Sequence, residues 1–305
     1  MKFLIVLTLL FSGTSYAQKV DYSNHHIVFD LDWTLLYQLK EGDIVTDESK
    51  VIEFEGQRFR ITDHAGELIQ SLLENYKGVN ISFYSGGSEE RNRKVLGAIK
   101  LPNGQTASDI YTDLFSRQDL EVVSESKELG FAERNKKVLY DKIDYYDGAK
   151  VLLIDDLLQF SDYRGTRFEI KDIKQRLNTL FSFGRISFYE KKSDLLKQAP
   201  KLHDPTDEKH WFLERNKTAI MYGIISEALD MEARGEGHFS DNAVKLHTDP
   251  DTGLPLDITD PKLKLLFEKG FSAIEQYSNV SHIYPKYNNK KQPLLEAPLC
   301  DAVVN

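Results

Sequence analysis

The sequence predicts an α/β fold with a mainly parallel sheet, and three observations predict it. Two short apolar runs, Ile27-Val28-Phe29 and Val151-Leu152-Leu153-Ile154, each deliver a pair of carboxylates, Asp30 and Asp32 after the first, Asp155 and Asp156 after the second. A third run, Val79 to Tyr84, ends at Ser85-Gly86-Gly87. Runs of this length read as buried strands, and ligands collect at the C-terminal ends of strands in an α/β sheet. Clustered carboxylates repel one another unless something compensates them, so two acid-ended strands in one chain point to a bound cation.

Composition sets the bounds. With 41% hydrophobic and 29% charged residues among 305, the chain is an ordinary globular protein, long enough for one sizeable domain or a domain with an appendage. A formal net charge of −9 argues against general nucleic-acid or anionic-membrane binding. Cys300 is the single cysteine, which excludes an intrachain disulfide. Lys2, the apolar stretch Phe3 to Phe11 and Ser15-Tyr16-Ala17 before Gln18 read as a secretory signal peptide, cleaved after Ala17 and too short for a membrane span. The expected protein is therefore periplasmic or secreted, with no stable membrane insertion. Its expected organisation is a signal peptide over 1–17, a core over 18–200, a helical accessory region over 201–284 and an extended tail over 285–305.

The elements follow in order. Val51 to Phe54 and Arg58 to Ile61 alternate around Glu55-Gly56-Gln57 and predict a hairpin. Thr62 or Asp63 is expected to cap a helix reaching Tyr76, with Leu68, Ile69, Leu72 and Leu73 facing inward and Gly78 ending it. Ser88 followed by Glu89 and Glu90 reads as the cap and first turn of a second helix, which runs to Ile99. Ser108 to Ser116 is expected to be a short helix, and Glu133 to Leu139 a helical stretch bearing lysines. Beyond Asp156 the expectations are a strand over 167–170, a helix over Lys171 to Phe181, a strand over 185–189 and a polar linker over 200–207. A helix within His210 to Arg234, a turn-rich stretch over 239–260 and a helix over Pro261 to Tyr277 complete the series. His203, His210, His238 and His247 lack metal-ligand spacing and read as surface or packing residues. Asp249-Pro250-Asp251-Thr252-Gly253 lacks the later acid of a calcium loop and reads as a turn. No dinucleotide fingerprint, Walker loop or Gly-x-Ser-x-Gly elbow is present.

Phe29-Asp30-Leu31-Asp32-Trp33-Thr34-Leu35 resembles the DxDxT signature of the haloacid dehalogenase (HAD) superfamily. Its members are mostly Mg-dependent phosphohydrolases with a Rossmann-like core. Ser85, a later lysine and Asp155-Asp156 fall in the order of that family's remaining motifs, and the resemblance extends over roughly residues 27–170. It implies Asp30 as nucleophile and metal ligand, and Asp32 as general acid and base lending its backbone carbonyl to Mg²⁺. It implies Ser85 and the backbone at Gly86 as phosphoryl donors, and Asp155 as a metal ligand, with Asp156 reaching the metal directly or through water. The charge-offsetting lysine is Lys137, followed by Lys136 and then Lys142. The hairpin-then-helix insert resembles that of the RNA polymerase C-terminal-domain phosphatase branch (NLI-interacting-factor-like), from which the chain departs at Trp33, where that branch usually has Glu. An acid at Asp32 favours phosphate over halide chemistry. The implied protein is a secreted Mg²⁺-dependent phosphomonoester hydrolase acting on a phosphorylated small molecule or a phosphoprotein. The alternatives are a phosphotransferase, which an alcohol acceptor would reveal, and a HAD-fold binding protein without turnover.

Overall fold

The computed structural model describes residues 20–39, 43, 45, 47–123, 134–156, 179–181, 213 and 215–277. The expected signal peptide, the strands at 167–170 and 185–189, the linker, the tail, His203 and His210 lie outside the described residues.

The sheet is built around β1 (His26–Phe29), whose Ile27, Val28 and Phe29 are fully buried. It pairs in parallel with β5 (Asn80–Tyr84) on one side and β9 (Val151–Asp155) on the other. Strands β6 (Leu114–Phe115) beyond β5 and β10 (Thr179–Phe181) beyond β9 bring the sheet to five parallel strands among the described residues. Phe29 lies opposite both Phe83 and Ile154, so the residues following each strand emerge along one edge. Alternate residues divide between the two faces, as strand geometry requires. Ile27, Phe29, Ile81, Phe83, Leu152 and Ile154 join the larger core, while Val28, Tyr84, Val151 and Leu153 meet Leu139 and Ile143 on the other side.

Between β1 and β5 lies the small insert. Strands β2 (Leu36–Gln38), β3 (Val51–Phe54) and β4 (Gln57–Ile61) form an antiparallel sheet in the order β2-β4-β3. The β3–β4 hairpin turns at Glu55 and Gly56, both with positive φ, which is the mirror-image turn that suits strand twist. Helix α1 (Ala65–Asn75) follows and buries Leu68, Ile69 and Leu72. Neither Thr62 nor Asp63 caps it: the cap position is His64, with φ 62° and no side-chain cap bond. Asp63 is occupied instead by an ion cluster, accepting from Arg60, Lys50 and Arg215. Ser88 does cap α2 (Glu89–Ala98), its hydroxyl accepting from the Arg91 N–H.

Four further expectations are corrected. Residues 108–116 form no α-helix; a 3₁₀ turn at Ala107–Asp109 leads to strand β6. Residues 134–139 are not helical but contain β8 (Arg134–Lys136), paired antiparallel with β7 (Glu121–Val123). Residues 179–181, assigned to a helix from periodicity, are β10, because pairing with β9 outweighs local pattern. Within 239–260 lies a helix, α4 (Phe239–His247), whose Phe239 and Ala243 are buried among the core residues.

Helices α3 (Lys217–Ala233), α4 and α5 (Lys264–Glu275) share the larger core with the sheet and α1. Helix α3 is buried on nearly all sides from Lys217 to Leu229. It meets α5 through glycines: a Cβ at Gly223 would lie 1.8 Å from the Leu266 carbonyl oxygen, and one at Gly270 1.7 Å from that of Ala219. No described helix is long and apolar enough to cross a membrane.

Candidate active site

Three parallel strands bring their following residues to one edge. Asp30 continues β1 and donates its N–H to the Ile154 carbonyl at 2.8 Å, which ties it to β9 beside Asp155. Ser85 continues β5 and donates its N–H to the Phe115 carbonyl at 3.1 Å. Carboxylate oxygens of Asp30, Asp155 and Asp156 lie within 4.8 Å of one another, and all three residues are buried.

Lys137 spans two of these acids. Its Nζ donates to Asp30 Oδ1 and to Asp155 Oδ2, each at 2.6 Å, and the side chain is buried. Burial works against this ammonium, but Asp155 and Asp30 outweigh it and hold its proton above the usual lysine range. Burial also pushes the Asp30 carboxyl well above the usual carboxylate range; Lys137 pulls it back, while Asp155 and Asp32 push it further up. The ammonium thus bridges two members of a cluster of three buried carboxyls. Their donors are hard oxygens of the kind Mg²⁺ selects, and a divalent charge among them would relieve their repulsion. The residues fit such a cation, with Asp30, Asp155 and Asp156 as its side-chain ligands.

Asp32 stands apart from this buried group, with its side chain 34% exposed. The Ser85 hydroxyl donates to Asp32 Oδ2 at 3.0 Å and accepts from the Gly87 N–H at 3.1 Å. The Arg91 guanidinium donates to Asp32 Oδ1 and lies over the Phe59 ring, 5.2 Å from its centre. The turn carrying Asp32 is tightly held. Trp33, with φ 62°, donates its N–H to the Leu36 carbonyl at 2.6 Å, and Leu35 donates to the Leu31 carbonyl at 2.9 Å. Thr62 donates its hydroxyl to the Thr34 carbonyl and its N–H to that of Leu35.

Asp30, Asp32, Ser85, Gly86, Lys137, Asp155 and Asp156 therefore all stand at or beside one end of the sheet. Lys142 does not join them: its Nζ lies 3.4 Å from Asp141 and 3.9 Å from Glu121. The side chain of Lys136 is outside the described residues. Ser85 bonds the acid Asp32 rather than pointing into open space. Sequence reasoning missed Arg91, which it treated as one more helix residue. The available signal was its place in the first turn of a helix that starts four residues after Ser85.

No protein-family model and no curated protein matches the chain. Among solved structures it is similar to Fcp1, described as an essential RNA polymerase II CTD phosphatase, at 17% identity, covering 81% of this chain and 80% of that one with a TM-score of 0.37. It is likewise similar to a single-residue variant of the fission yeast RNA polymerase II CTD phosphatase Fcp1 bound to beryllium fluoride, at 14% identity, covering 74% and 71% with a TM-score of 0.39. Both scores are low, and the chemistry of the site rests on this chain's own residues.

Proposed function

We propose that the protein is a Mg²⁺-dependent phosphomonoester hydrolase of the haloacid dehalogenase type, acting through an aspartyl-phosphate on Asp30. One observation carries the reading: a buried lysine clamps two strand-end carboxylates while a separate, more exposed carboxylate stands beside a Ser and a Gly turn at the same sheet edge. Paired carboxylates in such different surroundings are suited to different tasks.

In the first step an Asp30 carboxylate oxygen attacks phosphorus, the bond from phosphorus to the leaving oxygen breaks, and Asp32 passes its proton to that oxygen. In the second, water attacks the phosphorus and gives a proton to the Asp32 carboxylate. The bond to Asp30 then breaks, releasing inorganic phosphate. The Lys137 ammonium offsets charge on Asp30 and on the transferred group, and the Ser85 and Gly86–Gly87 turn orients Asp32 and offers backbone donors. When bound among Asp30, Asp155 and Asp156, Mg²⁺ would add Lewis-acid charge that favours the ionised nucleophile. The nucleophile is buried and the acid more exposed, so a substrate enters from the Asp32 side.

The substrate is a phosphorylated small molecule or a phosphoprotein, and the amino-terminal pattern of Lys2 to Ala17 supports a periplasmic or secreted location for the protein. The test is hydrolysis of p-nitrophenyl phosphate with Mg²⁺ and with chelator, beside Asp30→Asn. Turnover that needs Mg²⁺ and falls by about 10⁴-fold or more in the variant is expected, since removing a nucleophile leaves only binding and electrostatic terms. A folded wild type that neither turns over nor binds Mg²⁺ would overturn the reading.

A further inference from the structure

Lys217 is the first residue of α3, yet it is completely buried. Its Nζ donates to the backbone carbonyl of Trp33, the residue directly after Asp32. The same Nζ lies 5.0 Å from the centre of the Tyr37 ring, and Tyr37 packs edge-on against Trp33 with ring centres 6.3 Å apart. A lysine in the first turn of a helix stands against the helix dipole, and its burial adds a desolvation cost. Helix formation does not explain the choice of residue. What the ammonium does touch is a backbone unit in an uncommon conformation: Trp33 has φ 62°, a region bulky side chains rarely adopt. Its neighbours repeat the attachment. Thr218 donates its hydroxyl to the Asp63 carbonyl at 3.0 Å, and Arg215 donates to the Asp63 carboxylate at 2.7 Å. The start of α3 thus grips both the turn bearing Asp32 and the segment that follows β4.

We propose that Lys217 is a positioning residue for the general acid: by binding the Trp33 carbonyl it fixes the turn that aims Asp32 at the leaving oxygen. This rests on the phosphatase reading above. It makes the C-terminal helices part of the catalytic apparatus, although they lie 184 positions away along the chain at this contact.

A misaimed general acid harms esters whose leaving groups need a proton and spares those that depart without one. The experiment compares kcat/KM for benzyl phosphate, with its poor alkoxide leaving group, and for 2,4-dinitrophenyl phosphate, in wild type and Lys217→Met. Expected is a loss at least about tenfold larger for benzyl phosphate, a part of what a general acid contributes, with partial recovery in Lys217→Arg. Lys217→Gln, which keeps a shorter donor, is read by the same criterion should Lys217→Met fail to fold by circular dichroism. Equal losses on both esters, or none, would overturn the inference while leaving the phosphatase intact. A wild type inert towards both esters overturns the phosphatase reading and this inference together.

Discussion

At Lys137 one ammonium spans Asp30 and Asp155, so its removal leaves two buried carboxyls facing each other without their shared cation. Lys137→Met is expected to lower kcat by roughly 10²-fold or more, the scale of losing one preorganised electrostatic partner, while Mg²⁺ binding survives because the three carboxylates remain. Steady-state kinetics beside Mg²⁺ titration separates the two effects; unchanged kcat would remove Lys137 from the machinery. Much of this site was legible in sequence, because a strand end places its carboxylates next to one another in the chain as well as in space. Asp30, Asp32, Asp155 and Asp156 carry that local signature. Arg91 does not: it meets Asp32 across 59 positions, from among the charged residues that begin its helix. The same holds for Lys217, whose partner is a carbonyl and so leaves no side-chain pattern to read.

Elements are fixed by contacts of two kinds, close backbone approach and buried charge. Helices α3 and α5 meet where a Cβ at Gly223 or Gly270 would overlap a carbonyl oxygen. Gly223→Ala and Gly270→Ala are each expected to destabilise by about 2 kcal/mol or more, since overlap with backbone is relieved only by parting the helices; urea denaturation measures this. The second kind is Asp63, buried against Arg60, Lys50 and Arg215. Burial opposes its charge, but those cations and His64 outweigh it and hold its carboxyl well below the ordinary value of 3.8. The unfolded chain therefore takes up a proton near pH 3.8 that the folded chain refuses. The stability this provides is complete above that pH and is lost as pH falls through the lower, folded value. Asp63→Asn should cost about 3 kcal/mol or more at neutral pH, because it strands buried cations, and should flatten the acid limb of the stability curve. An unaltered acid limb would assign that limb to other carboxylates. The hairpin and α2 were readable because turn and cap residues act locally. Strand β6 was not, being two residues whose identity as a strand comes from pairing with β5. Helix α4 was hidden for a related reason: Ser240, Asp241 and Asn242 favour turns in isolation, and burial of Phe239 and Ala243 decides otherwise.

Over the whole molecule, one hydrophobic cluster runs from Tyr22 through the sheet and α1 to Ile274 in α5. Sequence patterning showed apolar helices late in the chain, but periodicity cannot say whether such a helix packs on a distant sheet or on its own neighbours. The shared core, together with the grip of α3 on the Asp32 turn, joins the site to the global fold. Cation binding at the sheet edge should therefore be felt as stability of the entire described body rather than as local ordering. A ligand that binds only the folded state adds about 2.7 kcal/mol at a hundredfold excess over its Kd. For a body of this size that corresponds to a rise in Tm of roughly 5–10 °C. Calorimetry of the wild type with saturating Mg²⁺ is expected to show a single transition moved upward by that amount. Asp155→Asn, which removes a ligand with no exposure to solvent, should abolish most of the shift. If the carboxylate cluster holds no cation, wild type and variant will instead respond identically to Mg²⁺. If α3 to α5 form a separate unit, two transitions will appear and only one will move.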